Sequence, residues 1–203
     1  QNYSIDDNIK ILLSTSGTTG SPKFVKLSEQ NLIQNTKSIC DYLPIIEDDV
    51  TPLNLPINYS YGLSVLLTNS VLGGQIICSV PDILQREFWN ALEKFEFTSI
   101  AGVPFVYEML DRFGFTNKVY SSLRYLTQAG GKLNNELVEK FGSYSLENDI
   151  KFYVMYGATE ASARMSYLEP DKVITKKGSI GKPIKNGNFE IDSVTSDPLL
   201  PVA

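Results

Sequence analysis

Apolar positions along this chain fall alternately into short runs and helical repeats. Residues 10–13 form an apolar run that stops at a cluster of Ser, Thr and Gly, as a buried strand delivering a loop would. Extended structure resumes at 24–27. Ser28 is placed to cap a helix over 29–42, with Leu32, Ile39 and Leu43 at helical spacing and Glu29 at the positive end of the helix dipole.

The alternation continues. A strand over 50–55 is followed by an apolar helix over 62–72, a Gly73-Gly74 turn and a β-branched strand over 75–80. Pro81-Asp82 opens a helix over 84–95, and then come a strand over 99–103, a helix over 105–113, a strand over 123–127, a helix over 135–141 and a strand over 150–155. Parallel strands need crossover connections, and helices supply them, so the pattern predicts an α/β fold with a mostly parallel sheet flanked by helices. After Met155 the helices stop. The stretch 163–192 is short-pieced, Gly-rich and strand-like, which predicts a short β-rich C-terminal extension or a small β subdomain. The expected division is an α/β core over 1–160 and a β-rich extension of the same domain over 161–203.

Composition narrows the function classes. The 203 residues, 42% hydrophobic and 20% charged, suffice for a globular domain with a real core. A formal charge of -5 argues against a nucleic-acid partner, because counterion release rewards only a basic face. With no histidine in the chain, a Ser/His pair, a histidine general base and a histidine-ligated metal are all excluded. Cys40 and Cys78 lie in apolar stretches without a CxxC pattern and read as two buried, reduced thiols. No run approaches the roughly 20 apolar residues of a membrane span, and the polar start is unlike a signal peptide, so the expected location is cytoplasmic. The chain starts without methionine and ends after a turn-like stretch, and both ends read as cuts.

The most informative segment is Ser14-Thr15-Ser16-Gly17-Thr18-Thr19-Gly20-Ser21-Pro22-Lys23. Glycines let backbone approach a ligand closely, hydroxyls and amides donate to phosphate oxygens, and lysine adds a mobile positive charge. By composition alone a solvated surface turn stands as the alternative. The Walker pattern does not fit, because Ser21-Pro22 separate the second glycine from Lys23.

A second cluster, Met155-Tyr156-Gly157-Ala158-Thr159-Glu160, sits at the end of a predicted strand, and Gln128-Ala129-Gly130-Gly131 ends another. A third is Leu55-Pro56-Ile57-Asn58-Tyr59-Ser60-Tyr61-Gly62-Leu63, and Gly178-Ser179-Ile180-Gly181-Lys182-Pro183-Ile184 a fourth. In their order along the chain, the four segments and the hydroxyl-rich loop resemble the signature motifs of the adenylate-forming superfamily, which includes acyl-CoA synthetases, peptide-synthetase adenylation domains and luciferases. The resemblance covers nearly the whole chain.

The resemblance implies a nucleotide-binding core that, with ATP and Mg²⁺, activates a small carboxylic acid to an acyl-adenylate and passes it to the thiol of coenzyme A or a carrier protein. It implies that Thr15, Ser16, Gly17, Thr18, Thr19, Gly20 and Lys23 hold the β- and γ-phosphates, and that Tyr156 stacks on adenine beside Gly157. Thr159 would bind the α-phosphate and Glu160 the Mg²⁺. Gly130 and Gly131 would line adenine, and Ala129, Tyr59 and Gly62 the acid pocket. Tyr59 replaces the family's usual histidine in the third segment, and no aspartate that would grip a substrate amine occurs there, which disfavours an amino-acid substrate. A peptide-synthetase adenylation domain and a non-catalytic degenerate adenylation fold remain the alternatives. Arg164 reads as a phosphate-neutralising group or as an exposed or locally paired arginine. The family's N-terminal subdomain, ribose-binding aspartate, hinge and C-terminal domain with its adenylation lysine are not found here, so this piece alone is expected to bind ATP weakly and not to turn over.

Overall fold

In the computed structural model, residues 5–15 and 23–190 are described. Strand β1 (Ile9–Thr15) and strand β2 (Lys23–Ser28) form an antiparallel hairpin in which Leu13 faces Val25 and Thr15 faces Lys23. The expectation of a buried strand at 10–13 is corrected. Only Leu13 of β1 is buried, and exposure alternates along it, because the hairpin is a two-stranded sheet of its own with one face toward the body. Helix α1 (Glu29–Cys40) starts where expected: Ser28 and Asn31 form a reciprocal capping box, the Ser28 hydroxyl accepting from Asn31 N at 3.2 Å and Asn31 Oδ1 from Ser28 N at 3.0 Å.

The remaining elements follow the predicted order. They are β3 (Val50–Pro52), α2 (Ser60–Leu72), β4 (Gln75–Ile77), α3 (Arg86–Lys94), β5 (Ser99–Gly102), α4 (Pro104–Arg112), β6 (Tyr125–Gln128), α5 (Asn135–Glu147) and β7 (Lys151–Tyr156). Two short strands, β8 (Ser166–Leu168) and β9 (Lys182–Pro183), come last. Helix α5 runs past its expected end at Phe141 because Gly142 is tolerated there: a Cβ would sit 3.0 Å from Ile174 Cγ1, so the glycine lets the 173–174 segment close onto the helix.

Strands β5, β6 and β7 are parallel neighbours, and β8 and β9 add antiparallel to the same five-stranded sheet. Strands β8 and β9 thus extend the core sheet. The parallel pair β3–β4 is tied to the other side, where Thr98 N donates to Val50 O at 2.9 Å and the Thr51 and Ser99 hydroxyls meet at 3.0 Å.

Alternation along β6 shows how the faces are covered. Leu126, in register with Phe152 of β7, belongs to the face on which Tyr107 of α4 and Phe141 of α5 pack edge to face, with the Tyr107 ring 5.4 Å from Phe152. Tyr125 and Thr127 point the other way, toward α2, whose Tyr61 hydroxyl donates to Thr127 O at 2.9 Å. Phe115, Phe141 and Phe152 are essentially inaccessible to water, and each such burial stabilises the fold by about 1.5–3 kcal/mol.

The thiols differ from expectation. Cys40 is half-buried with Sγ 3.9 Å from Thr68 O, but Cys78 is exposed, because β4 ends at Ile77 and leaves the cysteine outside the sheet. Among the described residues no helix is long and apolar enough to cross a membrane.

Candidate functional site

The parallel strands β5, β6 and β7 end side by side at Gly102, Gln128 and Tyr156. In open α/β sheets this carboxyl edge is where connections diverge and ligands find a crevice. A cavity of about 160 Å³ opens here. The end of β6 contributes Ala129 and Gly130, the end of β7 contributes Gly157, Ala158 and Thr159, and the start of α2 contributes Tyr59, Ser60 and Tyr61. Ala163 and Arg164 complete it.

Local sequence explains the shape. Gly130 has φ +79°, and a Cβ there would lie 2.3 Å from the Tyr59 hydroxyl oxygen, so only glycine lets that ring rest on the β6 turn. At Gly157 a Cβ would fall 1.6 Å from Ala163 O, because the chain doubles back between β7 and β8 and Met165 N donates to Tyr156 O at 2.9 Å. Inside that return, Ser162 (φ 63°) and Ala163 (φ 112°) are held at positive φ. For alanine the latter costs of order 1–3 kcal/mol, a kind of strain that clusters at functional sites.

Thr159 opens a single 3₁₀ turn, Thr159–Ala161, and its Oγ1 lies 3.3 Å from the Ser60 hydroxyl at the head of α2. The hairpin strand β2 packs against this same turn, and Asn35 of α1 donates to Arg164 O at 2.9 Å. The hairpin in which Thr15 and exposed Lys23 face each other is thereby joined to the tyrosine-to-glutamate segment. Ser16, Gly17, Thr18, Thr19 and Gly20 lie outside the described residues.

Not every expected residue borders the cavity. Gly131 supports it from behind, accepting at its carbonyl from Gln128 Nε2 at 2.8 Å. Tyr156 is half-buried at the end of β7, in register with Ser166. Gly62 lies beneath: a Cβ would be 2.2 Å from Pro56 O, so this glycine seats α2 on the preceding turn. Glu160 is exposed and faces a neighbouring open depression shared with Gln34 and Lys185. It makes no ion pair, and no cluster of three metal-ligating side chains exists, among the described residues.

Sequence reasoning overlooked Ser60 and Tyr61 and misjudged the surroundings of Arg164. That arginine is 2% exposed. Its guanidinium carbon stands 5.0 Å over the Tyr61 ring and Nη1 is 3.6 Å from Met155 Sδ, while Nε has no partner. Burial pushes the Tyr61 hydroxyl up to about 12, the arginine's charge offsetting only part of it, and burial also raises Tyr59. The small residues Ala161, Ser162 and Ala163 ahead of an arginine were the sole local hint that its side chain has room to turn inward.

Comparison with known proteins bears on this arrangement. The chain is 32% identical over 203 residues to a 2-succinylbenzoate–CoA ligase of Bacillus cereus, an alignment covering 98% of the chain and 41% of that protein. The chain thus spans about two-fifths of that relative's length. Its backbone is similar to o-succinylbenzoate CoA synthetase of Bacillus subtilis bound to a product analogue, with a TM-score of 0.77 and 27% identity over 88% of this chain and 35% of the other. The same Bacillus subtilis enzyme in complex with ATP and magnesium ion gives a TM-score of 0.74 and 26% identity over 90% of this chain and 38% of the other. A family profile matches residues 4–200, nearly the whole chain including every segment that lines the cavity, and by that match the protein belongs to the AMP-binding enzyme family.

Proposed function

We propose that the protein carrying this chain uses ATP to activate a carboxylic acid. The acid's carboxylate attacks the α-phosphorus, pyrophosphate leaves, and the acyl-adenylate then gives its acyl group to the thiol of coenzyme A with release of AMP. The observation that carries this reading is the convergence of the hairpin bearing Thr15 and Lys23 with the Thr159–Ala161 turn, beside a cavity walled by Tyr59 and Gly130. The names of the relatives, which are CoA ligases, support the same class of reaction and favour coenzyme A over a carrier-protein thiol.

In this reading the hydroxyl-rich loop and Lys23 receive the β- and γ-phosphates, and Thr159, braced by Ser60, donates to the α-phosphate. Tyr156 stacks on adenine, and Gly130 and Gly131 let the base approach the β6 turn. Tyr59 stands where the acid meets the phosphorus, and as a neutral phenol it orients by hydrogen bonding and takes no proton. Glu160 fits Mg²⁺, which is commonly held by one carboxylate together with phosphate oxygens and water, and the ion would neutralise phosphate charge. Such chemistry needs alignment and charge neutralisation more than a protein nucleophile, so a histidine-free chain can support it.

The test is acid-dependent exchange of labelled pyrophosphate into ATP by the full-length protein over a panel of carboxylic acids. Thr159→Ala is expected to lower exchange by about 100-fold, the scale for losing one donor to developing charge. Exchange with no acid, or with amino acids alone, would sink the reading.

A further inference from the structure

Arg164 is a buried cation without an anion. A guanidinium removed from water is strongly disfavoured unless an anion offsets its charge, and this one meets only a thioether, an aromatic face and the Tyr42 hydroxyl, none of them charged, with Nε unpaired. The ionisable groups that feel its charge are Cys40, Tyr42, Tyr61 and Tyr125, and burial raises all four, so each stays protonated and none supplies a negative charge. The fully buried carboxylate of Asp49 is taken by Arg124. Among the described residues, nothing neutralises Arg164.

Two spaces adjoin the arginine. One is the cavity of about 160 Å³ at the carboxyl edge. The other, of about 10 Å³, lies deeper between α2 and the sheet against Val65, Thr68, Ala101 and Thr127. Tyr61, 3% exposed and pinned by its hydrogen bond to Thr127 O, borders the first and not the second, while Arg164 borders both. Arg164 is the one charged residue on the wall of either space among the described residues.

We propose that Arg164, braced on the Tyr61 ring, is the floor of the acid-binding cavity and selects short acids that carry a second carboxylate at their far end, which pairs with the guanidinium. This inference rests on the acid-activation reading and deepens it. A short diacid would place its reacting carboxylate beside Tyr59 and Thr159 and its distal one on Arg164, whereas a monoacid of equal length would leave the guanidinium unpaired. A long alkyl chain would meet the Tyr61 ring.

The experiment measures pyrophosphate exchange by the full-length protein with succinate against butyrate, glutarate against valerate, and octanoate. The diacids are expected to exceed their monoacid partners in kcat/KM by about thirtyfold, the scale for pairing a buried charge. In R164Q that ratio should fall close to one with the KM for ATP changed less than about twofold, R164K should keep part of it, and Tyr61→Ala should admit octanoate. A wild-type ratio near one overturns the proposal, as does a ratio that survives in R164Q. So does an R164Q variant that loses ATP affinity as much as acid preference, which would mark a charge serving the nucleotide or the fold. Should R164Q fail to fold, the wild-type ratio decides alone. Exchange with no acid at all would instead defeat the acid-activation reading, which separates the two failures.

Discussion

Arg124 enters β6 at the amino edge of the parallel strands, and Arg164 follows β7 at the carboxyl edge. Arg124 pairs with Asp49 and donates a second bond to Pro44 O at 2.9 Å, while the other Asp49 oxygen accepts from Ile46 N at 2.9 Å. Those groups satisfy one another. Arg164 is more deeply buried yet has no anionic partner on its side chain among the described residues, and it adjoins strained Ala163, the loosely bonded Thr159 and the cavity. The amino edge is closed by internal pairing and serves folding. The carboxyl edge keeps polar groups unmatched where a ligand arrives, a division that parallel sheets share with barrels.

The largest expected effect tests that division directly. Asp49→Ala strips a partly covered arginine of its anion and frees Ile46 N, and it should destabilise the fold by about 3–5 kcal/mol, read as a lowered urea midpoint at unchanged m. Arg164→Met should do the opposite of what burial alone implies. With no anion to orphan, an apolar chain of similar reach should change stability by less than about 1 kcal/mol or raise it. Equal losses in the two variants would erase the contrast between the edges.

Next in size is the return after β7. Gly157→Ala would push a methyl to within 1.6 Å of Ala163 O, a backbone atom that cannot swing aside, and should cost about 3 kcal/mol. The same change at Gly74, where a Cβ would meet nothing closer than 3.4 Å, should cost far less. Thermal denaturation of both variants checks this, and comparable losses would mean that the tight crossing at the carboxyl edge is not what holds the turn.

How much of this was legible beforehand depends on the range of the forces involved. The strand–helix alternation and the Ser28 cap were readable because burial period and capping are local properties. Exposure of β1 was not, since a short apolar run looks the same in a core strand and in a hairpin whose one face packs on the body. Gly142 argued locally for a helix end that the distant Ile174 overruled. In the site, glycine-rich turns and Thr159 were visible as motifs. The inward turn of Arg164 was not, because it depends on Tyr61 and Met155 contacts that spacing does not encode.

The smallest effect concerns a charge cluster on the outer face of the antiparallel extension, the solvated counterpart of Asp49 and Arg124. Glu169, just after β8, bonds Lys172 within its own turn and Lys182 on β9. Hydrogen bonds from Lys172 and then Lys182 hold its carboxyl down at about 2, against an ordinary 4.5. The sign follows from linkage. The folded state binds this proton less readily than the unfolded chain, so the stabilisation is full above pH 4.5 and disappears as pH falls toward 2. Water and salt screen these exposed groups, which keeps the contribution small. Urea midpoints of the wild type and Glu169→Gln should differ in favour of the wild type at neutral pH, converge on acidification through that window, and lie closer together in high salt. A gap that stayed constant down to pH 2 would assign the difference to packing of the β8–β9 turn and not to its charge.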